Sequence, residues 1–158
     1  MRLTGGLESK GPGLKSLMNT LAKANGLAVK VGVLGKAGDE TSGASIVDIA
    51  LIHELGSPKN GIPERSFLRS TFTKRAPELG KLAERMAKAA LKGQGVEQSL
   101  NLIGSYLSTE IKKTIAARIA PANAQSTIDR KKSDVPLVNT GQLLNSVTWE
   151  VTHTDGVE

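Results

Sequence analysis

The stretch from Ile49 to Phe72 limits the fold of this chain more than any other part of the sequence. It reads IALIHELGSPKNGIPERSFLRSTF, in which an apolar helical run ends at Gly56, a turn-rich loop follows, and a new helix opens after Pro63. Both phenylalanines of the chain, Phe67 and Phe72, lie in its last part. Glycine readily ends a helix and proline stiffens the backbone, so the stretch predicts a tight corner between two helices. We interpret this corner as a packing and docking point.

The spacing of apolar residues predicts the remaining elements. Helices are expected over 14–21, 44–55, 64–92, 96–119 and 141–145, and strands over 27–34 and 146–153. Pro77 removes one backbone donor from the third of these helices, so we expect a kink or a break near Arg75. Thr140 is expected to cap the last, short helix. If the two strands pair, the fold is α+β, with a small, mainly antiparallel sheet packed against helices that include a long one over about 96–119.

The chain is expected to form a single domain over residues 1–158. Residues 1–12 are polar and rich in glycine, which predicts a loose arm and is unlike a signal peptide. Residues 35–43 are expected to form a flexible loop. Residues 120–139 are expected to form an extended polar loop that holds a short turn of helix at Ser126–Lys131. A loop of that length in a compact domain is usually functional or mobile.

Composition indicates a thin core that contains few aromatic side chains. Aromatic residues make up 3% of the chain, so the core must be built from aliphatic side chains. Burial against neighbouring subunits would then add stability. The chain has no cysteine, which excludes disulfides and thiolate metal ligands. No apolar run approaches the ~20 residues of a membrane helix, so we expect no membrane partner.

The chain is basic, with a net charge of +6 and a pI of about 9.7. Eight basic residues lie between Arg65 and Lys92, and a second group runs from Lys112 to Lys132. Such a charge permits contact with nucleic acid or with an acidic surface, although most of these residues fit solvated helix faces. No aromatic residues alternate with them, so a surface that stacks single-stranded bases is not expected.

Three catalytic patterns fail on their spacing. His53 and Glu54 resemble the start of a zinc protease motif, but the residue four positions after His53 is Ser57. The glycine-rich segment that ends at Lys36 lacks both the first glycine and the Ser or Thr of a phosphate loop. No Gly-x-Ser-x-Gly pattern is present. We therefore expect no enzyme activity, metal or cofactor. His53 is expected to end its helix, and Glu54 to pair with Arg65 or Arg69 across the loop.

A second cluster, PLVNTGQL, runs from Pro136 to Leu143. The proline stiffens the approach to the short helix that Thr140 caps, and Leu137 can pack on Leu143 or Leu144 across that cap. Taken alone, the cluster describes a well-made helix start.

The two clusters together resemble the tail-completion and head–tail joining (neck) proteins of tailed bacteriophages, a family of virion morphogenesis or minor tail proteins. The resemblance covers roughly residues 27–153, and Ser66 departs from it because many relatives carry proline there. The residues that carry it, and that we expect to form an assembly or structural motif, are His53, Glu54, Gly56, Ile62, Pro63, Arg65, Phe67, Leu68, Arg69, Pro136, Leu137, Thr140, Gly141 and Leu143.

The resemblance implies a structural virion protein that acts at the head-proximal end of the tail. It implies a homo-oligomeric ring, usually a hexamer, assembled in the bacterial cytoplasm. The ring would contact a tail terminator or tail tube protein on one side and head-connector proteins on the other, while DNA passes through its lumen. Two alternatives stay open, namely a tail terminator and a basic DNA-binding protein. In each ring role, Arg65, Phe67 and Arg69 are expected to hold the corner and to shape a subunit contact.

Overall fold

Two strands and five α-helices follow one another in the part of the chain that the structure describes. The structure is a computed structural model and describes residues 19, 22, 25–35, 38, 43–92, 94–132 and 134–153. The elements in chain order are β1 (Leu27–Val33), α1 (Ile46–Leu55), α2 (Phe67–Leu91), α3 (Val96–Ala116), α4 (Gln125–Lys131), α5 (Gln142–Ser146) and β2 (Val147–His153). The predicted arm 1–12, most of the helix predicted over 14–21 and most of the loop predicted over 35–43 lie outside the described residues.

The sheet is a two-stranded antiparallel pair of β1 and β2. Its register places Val29 opposite Val151 and Val31 opposite Trp149. Because side chains alternate across a strand, these apolar pairs share one face of the sheet. The predicted pairing of two strands distant in sequence, and with it the α+β fold class, is confirmed.

Helix α3 covers the apolar face of the sheet at a position where it carries no side chain. A Cβ atom on Gly104 would lie 2.4 Å from Cδ1 of Trp149 and 2.9 Å from Cγ2 of Val29. The Trp149 ring therefore fits directly against the helix backbone, and its Nε1 donates a hydrogen bond to Oδ1 of Asn101 at 3.2 Å. The glycine sets how closely the helix approaches the sheet.

The core lies where α1, α2, α3 and α5 meet. Its largest fully buried side chains are Phe67, Ile46, Ile111, Ile115 and Val147. Phe67 is the single aromatic residue among them, so the prediction of a mainly aliphatic core agrees with the packing. Leu137 and Leu143, from the second sequence cluster, belong to the same core.

Helix α2 is continuous from Phe67 to Leu91, so of the kink or break expected near Arg75 the break is wrong. Pro77 lies inside the helix and is exposed. The carbonyl that its missing N–H leaves without a donor belongs to Thr73, also exposed, and water can take that bond. One lost hydrogen bond at an exposed position is too small a penalty to end a helix whose inner face is packed.

Two polar contacts tie α2 to α3. The hydroxyls of Thr71 and Thr114 lie 2.7 Å apart, and Thr71 is 2% exposed. One turn further along α2, Arg75 Nη2 lies 2.5 Å from Oε2 of Glu110, a buried residue whose Oε1 accepts from Lys113 at 2.7 Å. The hydrogen bond from the side-chain ammonium of Lys113 lowers the pKa of Glu110. Burial opposes this shift, and the charge of Arg75 reinforces it. The carboxylate therefore stays ionised between the two helices.

The stretch predicted as an extended polar loop, 120–139, contains helix α4, which includes the helical turn expected at Ser126–Lys131. Within the described residues, none of the helices is both long enough and apolar enough to cross a membrane.

Candidate functional site

The corner between α1 and α2 starts at a glycine that no other residue can replace without a collision. Gly56 has φ 75° and ψ 171°, and a Cβ there would lie 2.8 Å from the backbone N of Glu64. Beyond it, the chain closes a small bridge in which Ser57 N donates to the Ile62 carbonyl at 2.8 Å and Ile62 N donates to the Ser57 carbonyl at 3.0 Å. Gly61, at φ 64°, makes the left-handed turn inside this bridge.

The loop then returns to the last turn of α1. The backbone N–H of Arg65 donates to the carbonyl of His53 at 2.8 Å. This carbonyl is one of the last four in α1, which have no partner inside the helix. The corner therefore satisfies the end of the first helix while it positions the start of the second.

Glu54 caps the start of α2 from the end of α1. Its Oε2 accepts from the backbone N–H of Leu68 at 2.8 Å, and its Oε1 accepts from the backbone N–H of Arg69 at 3.0 Å. The N-cap residue of α2, Ser66, makes no capping bond of its own and instead donates its hydroxyl to Glu54 Oε1 at 2.7 Å. A carboxylate beside the positive end of a helix dipole is favourable, so this contact joins the two helices electrostatically.

Arg69 completes this joint between α1 and α2 with bonds that run the other way, from the start of α2 back to the end of α1. Its Nε lies 3.0 Å from Glu54 Oε1, its Nη2 donates to the backbone carbonyl of Glu54 at 2.9 Å, and Nη2 also meets Glu64 Oε1 at 2.7 Å. A cation at the last carbonyls of α1 complements the negative end of that helix. Of the two partners predicted for Glu54, the structure selects Arg69.

The ionisation of Glu54 follows from this geometry. Burial alone would raise the pKa of Glu54, but the backbone N–H groups of Leu68 and Arg69, the Ser66 hydroxyl and the Arg69 guanidinium lower it overall. The same pairing with Glu54 raises the pKa of Arg69. Both groups are therefore charged at neutral pH, as mutual helix capping requires.

Arg65 points away from this joint and holds the segment that follows α3. Its Nε donates to the Pro121 carbonyl at 2.8 Å, and its Nη2 donates to the Ala122 carbonyl at 3.1 Å and to Oδ1 of Asn123 at 3.5 Å. Arg65 is only 5% exposed. Burial lowers the pKa of its guanidinium.

The second sequence cluster, Pro136–Leu143, lines the same groove as the segment that Arg65 holds. Pro136 and Leu137 are buried, and Leu143 packs with Leu137 in the core. The prediction that Thr140 occupies the cap position is wrong by one residue, because Gly141, at φ 82°, is the N-cap of α5. The Thr140 hydroxyl still accepts the N–H of Gln142 at 3.3 Å, because the left-handed glycine turns the chain back towards it.

Residues of both clusters line one open groove of about 880 Å³. The residue types on its walls are mostly apolar or small, with Arg65 and Asn123 among the polar groups. Nine of the residues that carry the family resemblance line it, namely His53, Ile62, Pro63, Arg65, Pro136, Leu137, Thr140, Gly141 and Leu143. The others serve the helix joint or the core, namely Glu54, Gly56, Phe67, Leu68 and Arg69.

Sequence reasoning missed three residues, one in the groove and two in the contact between α2 and α3. Asn123 carried no signal because it lies in a polar stretch without periodicity. Thr71 and Glu110 fall on the inner faces of their helices, and a polar residue on an apolar stripe could have marked them.

Among the described residues, no group of three or more His, Asp or Glu side chains could hold a metal ion. What the arrangement offers chemically is a mostly apolar binding surface with a few polar groups, Arg65 and Asn123 among them.

A scan against models of protein families, a search of curated proteins and a search of solved structures each returned no match for this chain.

Proposed function

We propose that this chain is a structural protein of a tailed-bacteriophage virion that forms a ring, with six copies the expected number, at the head-proximal end of the tail. There it completes the tail and joins it to the head. The proposal rests on the two ordered sequence clusters that resemble neck proteins. It is supported by one observation above all, that these clusters, separated by α2 to α4 in sequence, line the same groove. A resemblance whose distant parts meet in space describes a tertiary unit and is therefore more specific than two local motifs.

The structural roles of the residues that carry the resemblance also favour a structural function over a catalytic one. Glu54 caps a helix, Gly56 permits a close backbone approach, and Phe67 fills the core. Phe67 is 0% exposed, so its own side chain braces this subunit and cannot touch a neighbour directly. Arg69 is exposed over 58% of its side chain, and its contribution to a subunit contact remains a prediction.

Exposed apolar side chains supply candidate surfaces for the ring. Leu51 and Leu55 lie one turn apart on the outer face of α1, each 55% exposed, and Phe72 on α2 is 38% exposed. A ring needs two different, complementary surfaces on each subunit. Burial of such side chains at those surfaces would compensate for a small core.

Mass measurement and electron microscopy test the proposal. Six copies of the 16.6 kDa chain give a ring of about 100 kDa, which native mass spectrometry of the purified protein would detect. Immunogold labelling of phage particles should place the protein at the head–tail junction. Its absence from mature particles would contradict the proposal.

A deletion mutant separates tail completion from termination. Loss of a completion protein should leave tails of normal length that fail to attach to heads. Loss of a terminator should give overlong tubes. Tube length measured on negatively stained lysates decides between the two roles.

A DNA-binding role for the same chain makes a different prediction. Binding to duplex DNA should be detectable at low ionic strength and should weaken steeply as salt is added. Passage of DNA through a lumen requires no such affinity. Tight salt-dependent binding by the isolated subunit would therefore favour the DNA-binding alternative.

A further inference from the structure

Arg65 is a buried cation without an acidic partner among the described residues. None of their ion pairs includes it. Its bonds go to two backbone carbonyls and one amide oxygen, through Nε and Nη2. No described residue accepts a hydrogen bond from its Nη1. Neutral oxygens compensate the desolvation cost of a buried guanidinium less completely than a carboxylate would.

A second donor without an acceptor lies beside it. The Nδ2 atom of Asn123 is buried and forms no hydrogen bond with any residue that the structure describes. Its orientation is set by Oδ1, which accepts from Arg65 Nη2 at 3.5 Å. A buried amide N–H without an acceptor costs free energy that a suitable ligand would recover.

Among the described residues, no acidic side chain lines the groove of Arg65 and Asn123. The residues of its walls include no Asp or Glu, whereas Ile62, Leu137 and Leu143 give it apolar surface. The chain as a whole carries a net charge of +6. A ligand for this groove should therefore bring one carboxylate for the donors and apolar groups for the walls.

We propose that this groove binds an acidic side chain on an extended, otherwise apolar segment of a different protein, with its carboxylate on Arg65 and Asn123. A carboxylate can accept from the two N–H groups of Arg65 Nη1, which the bonds of Nε and Nη2 leave available, and it has lone pairs left for the amide of Asn123. Within this groove, an acidic partner gains more from the net positive charge of the chain than a second copy, which carries the same charge. A single buried guanidinium between apolar walls does not suit a DNA backbone, which exposed Lys and Arg residues usually hold. The inference concerns the groove alone and goes beyond the role in tail assembly.

The test uses the full chain labelled with ¹⁵N and two peptide probes, Ac-Leu-Glu-Leu-NH₂ and Ac-Leu-Gln-Leu-NH₂. The glutamate peptide should shift the Nε–H resonance of Arg65 and the side-chain amide of Asn123 in a saturable way. The glutamine peptide should bind roughly tenfold more weakly, because it lacks the charge that strengthens the bonds to the guanidinium. Equal binding of the two peptides, or no saturable shift with the first, would overturn the proposal.

One substitution mimics the ligand within the chain. Asn123→Asp places a carboxylate next to Arg65, so it should weaken binding of the glutamate peptide roughly tenfold without lowering the unfolding midpoint. Gln94→Glu makes the same charge change at an exposed position outside the groove and should leave binding unchanged. Unchanged affinity in Asn123→Asp would contradict the proposal.

Two further outcomes would assign the groove to another occupant. If Asn123→Asp changes the oligomeric mass of the protein, the occupant is a second copy and the proposed partner is wrong. If a short DNA duplex shifts the Arg65 resonance at lower concentration than the glutamate peptide does, the groove recognises phosphate instead.

Discussion

Glu54 is the residue on which the corner depends most. Glu54 as a whole residue is 7% exposed. Its carboxylate accepts hydrogen bonds from the Ser66 hydroxyl, the Leu68 and Arg69 backbone N–H groups and the Arg69 guanidinium. A helix normally finds its cap in the preceding residue. Here the cap comes from the previous helix, so a single side chain fixes both the start of α2 and its position relative to α1.

Replacement of this carboxylate should destabilise the fold. Glu54→Gln keeps the size of the side chain but replaces one acceptor oxygen with a donor that faces other donors. We expect the free energy of unfolding to fall by about 1–3 kcal/mol. Urea unfolding followed by the fluorescence of Trp149, the sole tryptophan in the chain, would measure the change.

Glu84→Gln is the matched control. Glu84 is 64% exposed and pairs with Lys88 one turn away on the same helix. Its replacement should change stability by less than about 0.5 kcal/mol, because exposed pairs of this kind contribute little. Equal losses in the two variants would show that the capping role of Glu54 has been misjudged.

The lowered pKa values of Glu54 and Glu110 predict a pH dependence with a definite sign. Below the unfolded pKa of about 4.3, the unfolded chain binds more protons at these carboxyls than the folded chain does, so stability falls as pH decreases. The stabilisation is fully present above that unfolded pKa and is lost as the pH falls through the lower, folded pKa. Glu54→Gln should show a shallower fall of the unfolding midpoint in this acidic window. A profile parallel to that of the wild type would contradict the assignment for Glu54.

Gly56 and Gly61 form a second matched pair. Both have positive φ, but a Cβ at Gly61 would meet nothing within 4 Å, whereas one at Gly56 would collide with the backbone of Glu64. Gly61→Ala should cost about 1 kcal/mol, the penalty of a left-handed residue. Gly56→Ala should cost clearly more, about 2–4 kcal/mol, because strain and collision add. Thermal unfolding of the two variants would measure the difference.

At this scale the sequence predicted those interactions that are local. A pairing of Glu54 with Arg65 or Arg69 follows from the corner motif, since all three residues lie within it. The bonds from Arg65 to Pro121 and Ala122 could not be predicted, because they join segments more than fifty positions apart, and the second segment has no apolar period. The same holds for Asn123, whose importance depends entirely on what the fold brings near it.

Among the elements, α3 packs its backbone directly against the sheet at Gly104. Gly104→Ala should destabilise the protein by about 1–3 kcal/mol, because the added methyl would overlap the Trp149 ring and force a shift. The substitution should also change the emission of that tryptophan.

Gly80 provides a control in a similar local setting. It too lies inside a helix, α2, but a Cβ there would meet nothing within 4 Å. Gly80→Ala should therefore stabilise the protein by about 0.5–1 kcal/mol, the gain in helix propensity. Opposite signs for the two substitutions are expected, and a stabilising Gly104→Ala would contradict the packing of the tryptophan.

Element types followed from periodicity, and the errors arose where tertiary contacts override a local rule. Pro77 predicted a break that α2 does not show, since the contacts of Thr71 and Arg75 with α3 hold its inner face in place. Gly104 lies within the most regular predicted helix, and a glycine in a helix does not indicate which side chain packs against it. The pairing of β1 with β2 could be expected because the chain offered few strands, but their register required the structure.

For the molecule as a whole, the small core and the proposed ring predict that stability depends on concentration. Native contacts between subunits stabilise the folded state by mass action. The unfolding midpoint should therefore rise over a roughly hundredfold increase in protein concentration. Differential scanning fluorimetry across that range would measure it, and a constant midpoint would indicate that the subunit gains nothing from assembly.

The strands that close the sheet lie at opposite ends of the described chain, and this has a consequence for synthesis. β1 is made first but waits unpaired until β2 is available, after all five helices have been translated. Sheet closure is thus a long-range step, which is slow compared with helix formation. A product cut short before Val147 would lack the partner of β1 and would leave the pairing edge of that strand exposed. Until β2 has been synthesised, this edge is therefore open to pairing with other chains, which is how unpaired strands aggregate.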